Sequence, residues 1–222
     1  MTQEAPPNAE DLPRVIPVFP LDGALLLPHA SRPLNIFEPR YLNMIDDAMA
    51  AERIIGMVQT AQTAEGPVSP ERPLLAPVGC AGRITAFSET GDGRYLITLT
   101  GVARFRLGEE LPGFMPYRRV RVDFSAFQDD LSPLSDEGDD REALLEPLRR
   151  YLERRGMLID WRAVESTAMP SLVNSLAMAL PFGGAEQQAL LEAASLAERR
   201  HTLITLLRID GAFRPDEPPS LQ

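Results

Sequence analysis

Residues 33–41 read PLNIFEPRY, and the end of this stretch is typical of the start of a helix. Proline is favoured at the first position of a helix, and apolar residues follow Pro39 at helical spacing. These apolar residues are Tyr41, Leu42, Ile45 and Met49, whereas Asp46, Asp47 and Glu52 point to other sides. The pattern predicts an amphipathic helix of about three turns with its acidic side chains in water.

On either side of this helix, between Val15 and Phe124, short apolar runs alternate with Pro and Gly. Such punctuation is typical of strands joined by turns. We predict strands at residues 15–19, 54–59, 79–88, 95–102 and 117–124. Gly91 and Gly93 can adopt positive φ, so they predict a hairpin between the third and fourth of these strands.

The composition changes at residue 129, because half of the residues in the segment 129–140 are acidic. So much like charge predicts an exposed linker, and apolar residues recur with a helical period beyond it. Pro147 fits only the first turn of a helix, so we expect the first helix there to begin nearer Glu146 than Arg141. The predicted organisation is a flexible arm (1–13), a β-rich domain (14–126), an acidic linker (127–140), a helical subdomain (141–211) and a C-terminal tail (212–222).

The charge of the chain argues against two classes of partner. The 22 basic and 32 acidic residues give a formal net charge of -10, which repels phosphate backbones and anionic lipid surfaces. The start, MTQEAPPNAE, has no signal-peptide pattern, and no apolar run reaches 18 residues. We therefore expect a cytoplasmic protein that binds no membrane and for which nucleic acid is a disfavoured partner.

All 22 basic residues are Arg, and Lys does not occur. A P-loop lysine, a Ser-Lys catalytic pair and a Schiff-base lysine are therefore excluded within these 222 residues. A Gly-x-Ser-x-Gly nucleophile elbow is also missing. These absences predict a protein that is not an enzyme and needs no cofactor.

The remaining candidates for chemistry are few. The two histidines, His29 and His201, lack neighbours at the spacing of metal ligands, so no metal site is expected. Cys80 lies in a small, apolar run, which predicts a buried thiol on a strand rather than a reactive one. Arg118, Arg119 and Arg121 alternate with valines, and we expect them to pair with the acidic second half of the chain rather than to bind an acidic peptide or nucleic acid.

Three segments together resemble the signature of the Lon protease N-terminal (substrate-binding) domain family. They are IPVFPL at 16–21, LPH at 27–29 and PLNIFEPRY at 33–41, and GVARF at 101–105 matches a later Gly-x-x-Arg-Phe segment of the family. The resemblance extends from about residue 14 to residue 211. His29 stands where the family usually has Gly, and Asn35 stands where many members have His or another polar residue.

The resemblance implies an α+β fold, namely a PUA-like twisted β pseudo-barrel with an inserted helix, followed by a C-terminal helical bundle. Full Lon proteases add an ATPase module and a protease domain, and both need lysines that this chain lacks. The resemblance therefore implies a bacterial protein similar to stand-alone Lon substrate-binding domains, which captures exposed segments of other polypeptides without catalysis.

The residues that we expect to bind such segments are Phe37, Glu38, Arg40 and Tyr41. The same residues also fit a purely structural role, since Phe37 and Tyr41 have helical spacing and Glu38 and Arg40 could hold the helix entry. Two other functions stay open: a PUA-like nucleic-acid-binding module, and a small-ligand-binding protein or enzyme with an unrecognised pocket. The sequence does not determine the oligomeric state.

Overall fold

The computed structural model describes residues 11–61, 73–134 and 141–210. Most of the predicted arm, the second half of the predicted linker and the predicted tail lie outside these residues. Leu12, a residue of the predicted arm, is described and is buried.

Six strands form one mixed sheet in the order β2-β5-β4-β3-β1-β6. The strands are β1 (Val15–Pro20), β2 (Ser31–Ile36), β3 (Ile54–Val58), β4 (Val78–Glu89), β5 (Tyr95–Glu110) and β6 (Arg118–Asp123). β1 and β3 are parallel, and the other neighbours are antiparallel. The predicted hairpin between β4 and β5 is confirmed, with Gly93 at a φ of 78° in its turn.

The long strand β5 converts this sheet into an irregular pseudo-barrel. Its first half pairs with β2, while its last residues pair with β6, so that β6 contacts both β1 and β5. The β5–β6 pairing has a register shift between Leu107 and Glu110, and the closure is therefore not that of a regular barrel. The predicted α+β fold with a twisted β pseudo-barrel is confirmed.

The inserted helix, α1, spans Pro39–Met49 and begins at the predicted residue. Its buried side is formed by Tyr41, Met44, Ile45 and Ala48. The ring of Tyr41 contacts that of Phe19 edge-on, with 4.5 Å between the ring centroids. This contact fixes the start of α1 against β1.

The C-terminal half is a helical bundle, as the resemblance implies. After the 3-10 helix Ser125–Leu131, its helices are α2 (Glu142–Arg155), α3 (Trp161–Ser166), α4 (Met169–Ala179), α5 (Gly184–Glu192) and α6 (Leu196–Asp210). The predicted start of α2 near Glu146 is wrong, because the helix begins at Glu142 and includes Pro147 in its interior. Buried leucines on either side of Pro147, at 144, 145 and 148, hold the helix in place by packing.

The β half and the helical half share one hydrophobic core. A single cluster of buried residues runs from Phe19, Leu27 and Leu99 in the β half to Leu148 and Leu176 in the bundle. A second, smaller cluster fills the pseudo-barrel around Phe105. Because the larger cluster crosses the predicted boundary, the two halves pack as one body.

The first part of the predicted acidic linker contains two residues, Phe127 and Asp130, that pack against the fold. Phe127 is buried, and the carboxylate of Asp130 forms an ion pair with Arg104 on β5, at 2.8 Å between Asp130 Oδ1 and Arg104 Nη2. The side chain of Asp130 is only 9% exposed. The expectation that charge keeps this stretch in water fails at Asp130, since a buried arginine neutralises it.

Candidate functional site

A large open groove lies where α1 begins. It has a volume of about 1040 Å³ and is formed by the end of β1, the start of α1 and the segment that joins β5 to β6. The residues that line it include Leu21, Asp22, Arg40, Tyr41, Thr60, Glu110, Met115, Tyr117, Arg118 and Arg119. We call it the α1 groove.

Two of the four predicted binding residues line the α1 groove. Tyr41 is buried, and the guanidinium carbon of Arg40 lies 4.5 Å from the centroid of the Tyr41 ring. Arg40 is also paired with Glu38, with 2.8 Å between Arg40 Nη2 and Glu38 Oε2, and both side chains are nearly half exposed. Arg40 is thus oriented at the groove wall and still accessible to a ligand.

Phe37 and Glu38 are not among the residues that line the groove. Phe37 is 62% exposed, and its ring lies 5.8 Å from the guanidinium of Arg94 in the β4–β5 turn. Of the four predicted residues, Arg40 and Tyr41 therefore line the groove, and Phe37 and Glu38 lie outside its lining. Tyr41 is also a core residue, which agrees with the alternative, structural role.

The segment between β5 and β6 contributes two exposed apolar side chains that sequence analysis did not single out. Phe114 is fully exposed, and Met115, which lines the groove, is 48% exposed. Aromatic residues, Met and Arg are enriched where proteins contact one another. The run Pro-Gly-Phe-Met-Pro at 112–116 was the available signal, because an aromatic residue and a Met stand in it between turn-forming residues.

Tyr117 ties this segment to α1. Its hydroxyl donates a hydrogen bond to Oδ2 of Asp47 at 2.6 Å. Burial, and next this hydrogen bond, raise the pKa of Tyr117 from 10.0 to about 12. The neutral phenol is therefore the form that holds the groove wall in place.

The Tyr117 bond predicts a loss of stability at alkaline pH. Between pH 10 and about 12 the folded protein keeps a proton at Tyr117 that the unfolded chain has released, so the free energy of unfolding falls as the pH rises. Thermal unfolding of the wild type and of Tyr117→Phe across this range measures the effect. We expect the wild type to lose more of its melting temperature than the variant. Equal slopes would show that Tyr117 does not contribute.

Arg118, the first arginine of β6, has a partner different from the predicted one. Arg118 donates to Glu110 on β5, at 2.7 Å between Arg118 Nη2 and Glu110 Oε2, and to the carbonyl of Pro73. The expectation that the acidic second half of the chain neutralises this arginine is wrong. The ion pair instead joins the two strands that carry the segment 111–117.

Cys80 is a core residue, as predicted. It lies on β4, is 1% exposed, and burial raises the pKa of its thiol far above the usual range. We expect the folded protein to react with a thiol reagent many times more slowly than the denatured protein does. The labelling rate is measured by quenching the reaction at successive times and analysing the protein by mass spectrometry. Labelling at the rate of a free thiol would contradict the buried position.

His29 adopts the left-handed conformation, with a φ of 62°. This explains why glycine suits the equivalent family position, since glycine accepts positive φ without strain. In this protein a hydrogen bond offsets the strain of that conformation, since His29 Nε2 donates to the carbonyl oxygen of Asp130 at 2.7 Å. The departure from the family pattern is thus accommodated by a contact with the 3-10 helix.

Within the three described ranges, no group of His, Cys, Asp or Glu side chains is arranged to hold a metal ion. In the same part of the chain, no helix combines the length and the apolar character needed to cross a bilayer.

A twisted pseudo-barrel with an inserted helix, a packed helical bundle and an open groove define an α+β protein. The family model described as the ATP-dependent protease La (LON) substrate-binding domain matches residues 15–208. The chain belongs to this family.

Two Lon proteases with similar sequences agree with this assignment. Lon protease 2 of Myxococcus xanthus is 30% identical over 213 residues, which are 93% of this chain and 25% of that protein. Lon protease of Roseiflexus castenholzii is 27% identical over 212 residues, again 93% of this chain and 25% of that protein. The chain thus spans about a quarter of the length of these relatives.

Two solved structures share the fold. The Lon N-terminal domain protein from Xanthomonas campestris superposes with a TM-score of 0.60 at 24% identity, over 86% of this chain and 97% of that one. The N-terminal domain of the Mycobacterium avium complex Lon protease gives a TM-score of 0.57 at 20% identity, over 87% of this chain and 98% of that one.

Proposed function

We propose that the protein is a non-catalytic recognition module that binds exposed, extended segments of other polypeptides in the α1 groove. The observation that carries this proposal is the groove itself, whose lining includes the exposed side chains of Met115 and Arg40, with the fully exposed Phe114 beside it in the chain. Its family, named for substrate binding, supports the same function.

The size of the α1 groove favours a polypeptide over a metabolite. Cavities that hold drug-sized ligands range from about 300 to 1000 Å³ and enclose most of the ligand. The α1 groove has a volume of about 1040 Å³, at the upper end of this range, and is partly open to solvent. Such a shape suits several consecutive residues of an extended chain.

The side chains of the groove supply two kinds of contact. Met115 in the lining, and the exposed Phe114 next to it in the chain, can bind the apolar residues that an unfolded chain displays. Arg40 and Arg119 can donate to peptide carbonyls or to acidic side chains of the bound segment. Glu38 contributes indirectly, because its carboxylate orients Arg40.

The proposal includes the expected location and the absence of catalysis. Membership of a family described as a substrate-binding domain supports a protein that binds segments rather than cleaving them, and the cytoplasm is the location that we propose for it. Nucleic acid is a weaker candidate, since Arg118 is engaged by Glu110 and the net charge is -10.

Fluorescence anisotropy with labelled peptides from unfolded proteins, at two salt concentrations, tests the proposal. We expect saturable binding that weakens several-fold in Arg40→Ala, because that variant removes a groove donor without opening the core. Arg162→Ala removes an exposed arginine on α3 and serves as the matched control. An absence of saturable binding across a broad peptide panel would overturn the proposal. Tyr41→Ala is unsuitable as a probe, since Tyr41 is part of the core.

A further inference from the structure

A second cavity, distinct from the α1 groove, lies between the β half and the helical bundle. It has a volume of about 490 Å³, and its walls come from the turn at 28–29, from the 3-10 helix and from helices α4 and α6. Met169, Pro170 and Val173 supply buried apolar surface on the α4 side. The size suits a small ligand or the end of a chain.

One arginine in the wall of this cavity is fully paired. Arg104 is 3% exposed and forms a two-point ion pair with Asp130, with Nε to Oδ2 and Nη2 to Oδ1 both at 2.8 Å. It also donates to the carbonyl oxygens of Leu191 and Ala193 at the end of α5. The single negative charge of Asp130 is therefore already neutralised by Arg104.

The second buried arginine, Arg199 on α6, has no such partner. It is also 3% exposed, and its Nε and Nη1 donate to the carbonyl oxygen of Leu190 at 2.9 Å and to Asn174 Oδ1 at 3.1 Å. Both acceptors are neutral, and no carboxylate of the described residues forms an ion pair with Arg199. Its Nη2 is shielded from solvent and makes no hydrogen bond.

An unpaired charge in this position is costly. Burial, and next the charge of Arg104, lower the pKa of Arg199 to about 10. The guanidinium still carries its proton at neutral pH, and the nearby carboxylate of Asp130 is already paired with Arg104, so the folded protein holds a buried cation without an ion-pair partner of its own among the described residues. An anion bound in the cavity would supply that ion-pair partner and an acceptor for Nη2.

The walls favour a particular kind of anion. The cavity is lined by three arginines (Arg104, Arg199 and Arg200) and two aspartates (Asp129 and Asp130), and this excess of one positive charge matches a monoanion better than a group with two negative charges, such as a phosphate. The apolar side chains of Met169 and Val173 favour a ligand with an apolar body. A monoanionic carboxylate attached to an apolar group satisfies both conditions.

We propose that the cavity between α4, α6 and the 3-10 helix binds a carboxylate with an apolar substituent, whose oxygens face Arg199. The carboxylate comes either from a small apolar acid or from the C-terminus of a polypeptide. The site is separate from the α1 groove and does not depend on the function proposed for that groove.

Isothermal titration calorimetry with three probes tests this site. The probes are octanoate, the peptide acetyl-Ala-Leu-Leu with a free carboxylate, and the same peptide with an amidated C-terminus. We expect at least one carboxylate probe to bind saturably and the amide to bind at least tenfold more weakly. Binding of octanoate alone identifies a small acid as the source, and binding of the free peptide alone identifies a polypeptide C-terminus.

Two variants locate the binding. Ala197→Phe places a ring in the cavity from an exposed position on α6, without touching the hydrogen bonds of Arg199, and Ala185→Phe makes the same change on α5 away from the cavity. We expect Ala197→Phe to abolish carboxylate binding and Ala185→Phe to preserve it. Arg199→Gln, if folded by circular dichroism, should also lose it. No binding by either carboxylate, equal binding of acid and amide, or unchanged binding in Ala197→Phe would each overturn the proposal.

Discussion

Replacing Arg104 with Met is expected to lower the free energy of unfolding by about 3–5 kcal/mol, because it removes one member of a buried ion pair. The variant leaves the Asp130 carboxylate, 9% exposed, without its cation in the core. It also removes the donors to Leu191 and Ala193 at the end of α5. Arg104 therefore joins β5, the 3-10 helix and the bundle, and its loss loosens all three.

Urea unfolding followed by circular dichroism measures this effect. Arg150→Met is the matched control, since Arg150 pairs with Glu146 on the surface of α2, and such exposed pairs contribute about 0.5 kcal/mol or less. The double variant Arg104→Met with Asp130→Leu should recover part of the loss, because it leaves no unpaired carboxylate. A change in Arg104→Met as small as that in Arg150→Met would show that the buried pair is not what connects the halves.

Replacing Phe114 with Ala is expected to weaken peptide binding by about tenfold or more while leaving the melting temperature unchanged. Phe114 is fully exposed, so its ring adds little to the fold and is free to contact a ligand. Loss of one aromatic anchor from an interface costs about 1–2 kcal/mol, and 1.4 kcal/mol corresponds to a factor of ten.

Leu158→Ala is the control for Phe114→Ala. Leu158 is another fully exposed apolar side chain, but it lies beside α2 and α3, away from the α1 groove. Anisotropy titrations should give the wild-type affinity for this variant. If both variants weaken binding equally, the contact is a general affinity for apolar surface and not recognition by the groove.

The sequence predicted the elements whose signals are local. Pro39 and the apolar stripe that follows located α1, and Gly93 located the β4–β5 hairpin. β2 was missed because Pro33 lies within it, and proline argues against a strand except at a sheet edge. In the structure β2 is the outer strand, where the missing N–H of Pro33 is tolerated.

The polar contacts between the halves could not be predicted from local sequence. Asp130 stands among acidic residues, and its arginine partner is 26 positions away on β5. Likewise, Arg199 meets Asn174 only because α4 and α6 pack together. Composition predicts the average environment of such residues. It does not show which distant residue pairs with one of them and so allows it to be buried.

Only part of the candidate site was predicted, because its residues come from distant parts of the sequence. The resemblance led to Arg40 and Tyr41, which do line the groove, because the family segment contains the start of α1. The opposite wall comes from residues 110–119, about 70 positions later, and only the fold brings it there. Exposure of Phe114 is a property of that wall and not of its sequence alone.

Photo-crosslinking from the groove tests the central claim most directly. The photoreactive residue p-benzoylphenylalanine is placed at Met115, inside the α1 groove, or at Leu158, outside it, and each protein is irradiated with a labelled unfolded polypeptide. We predict that position 115 forms a crosslink which excess unlabelled peptide suppresses, and that position 158 does not. Crosslinking from position 158 alone, or from neither position while binding is saturated, would contradict the assignment of polypeptide binding to the α1 groove.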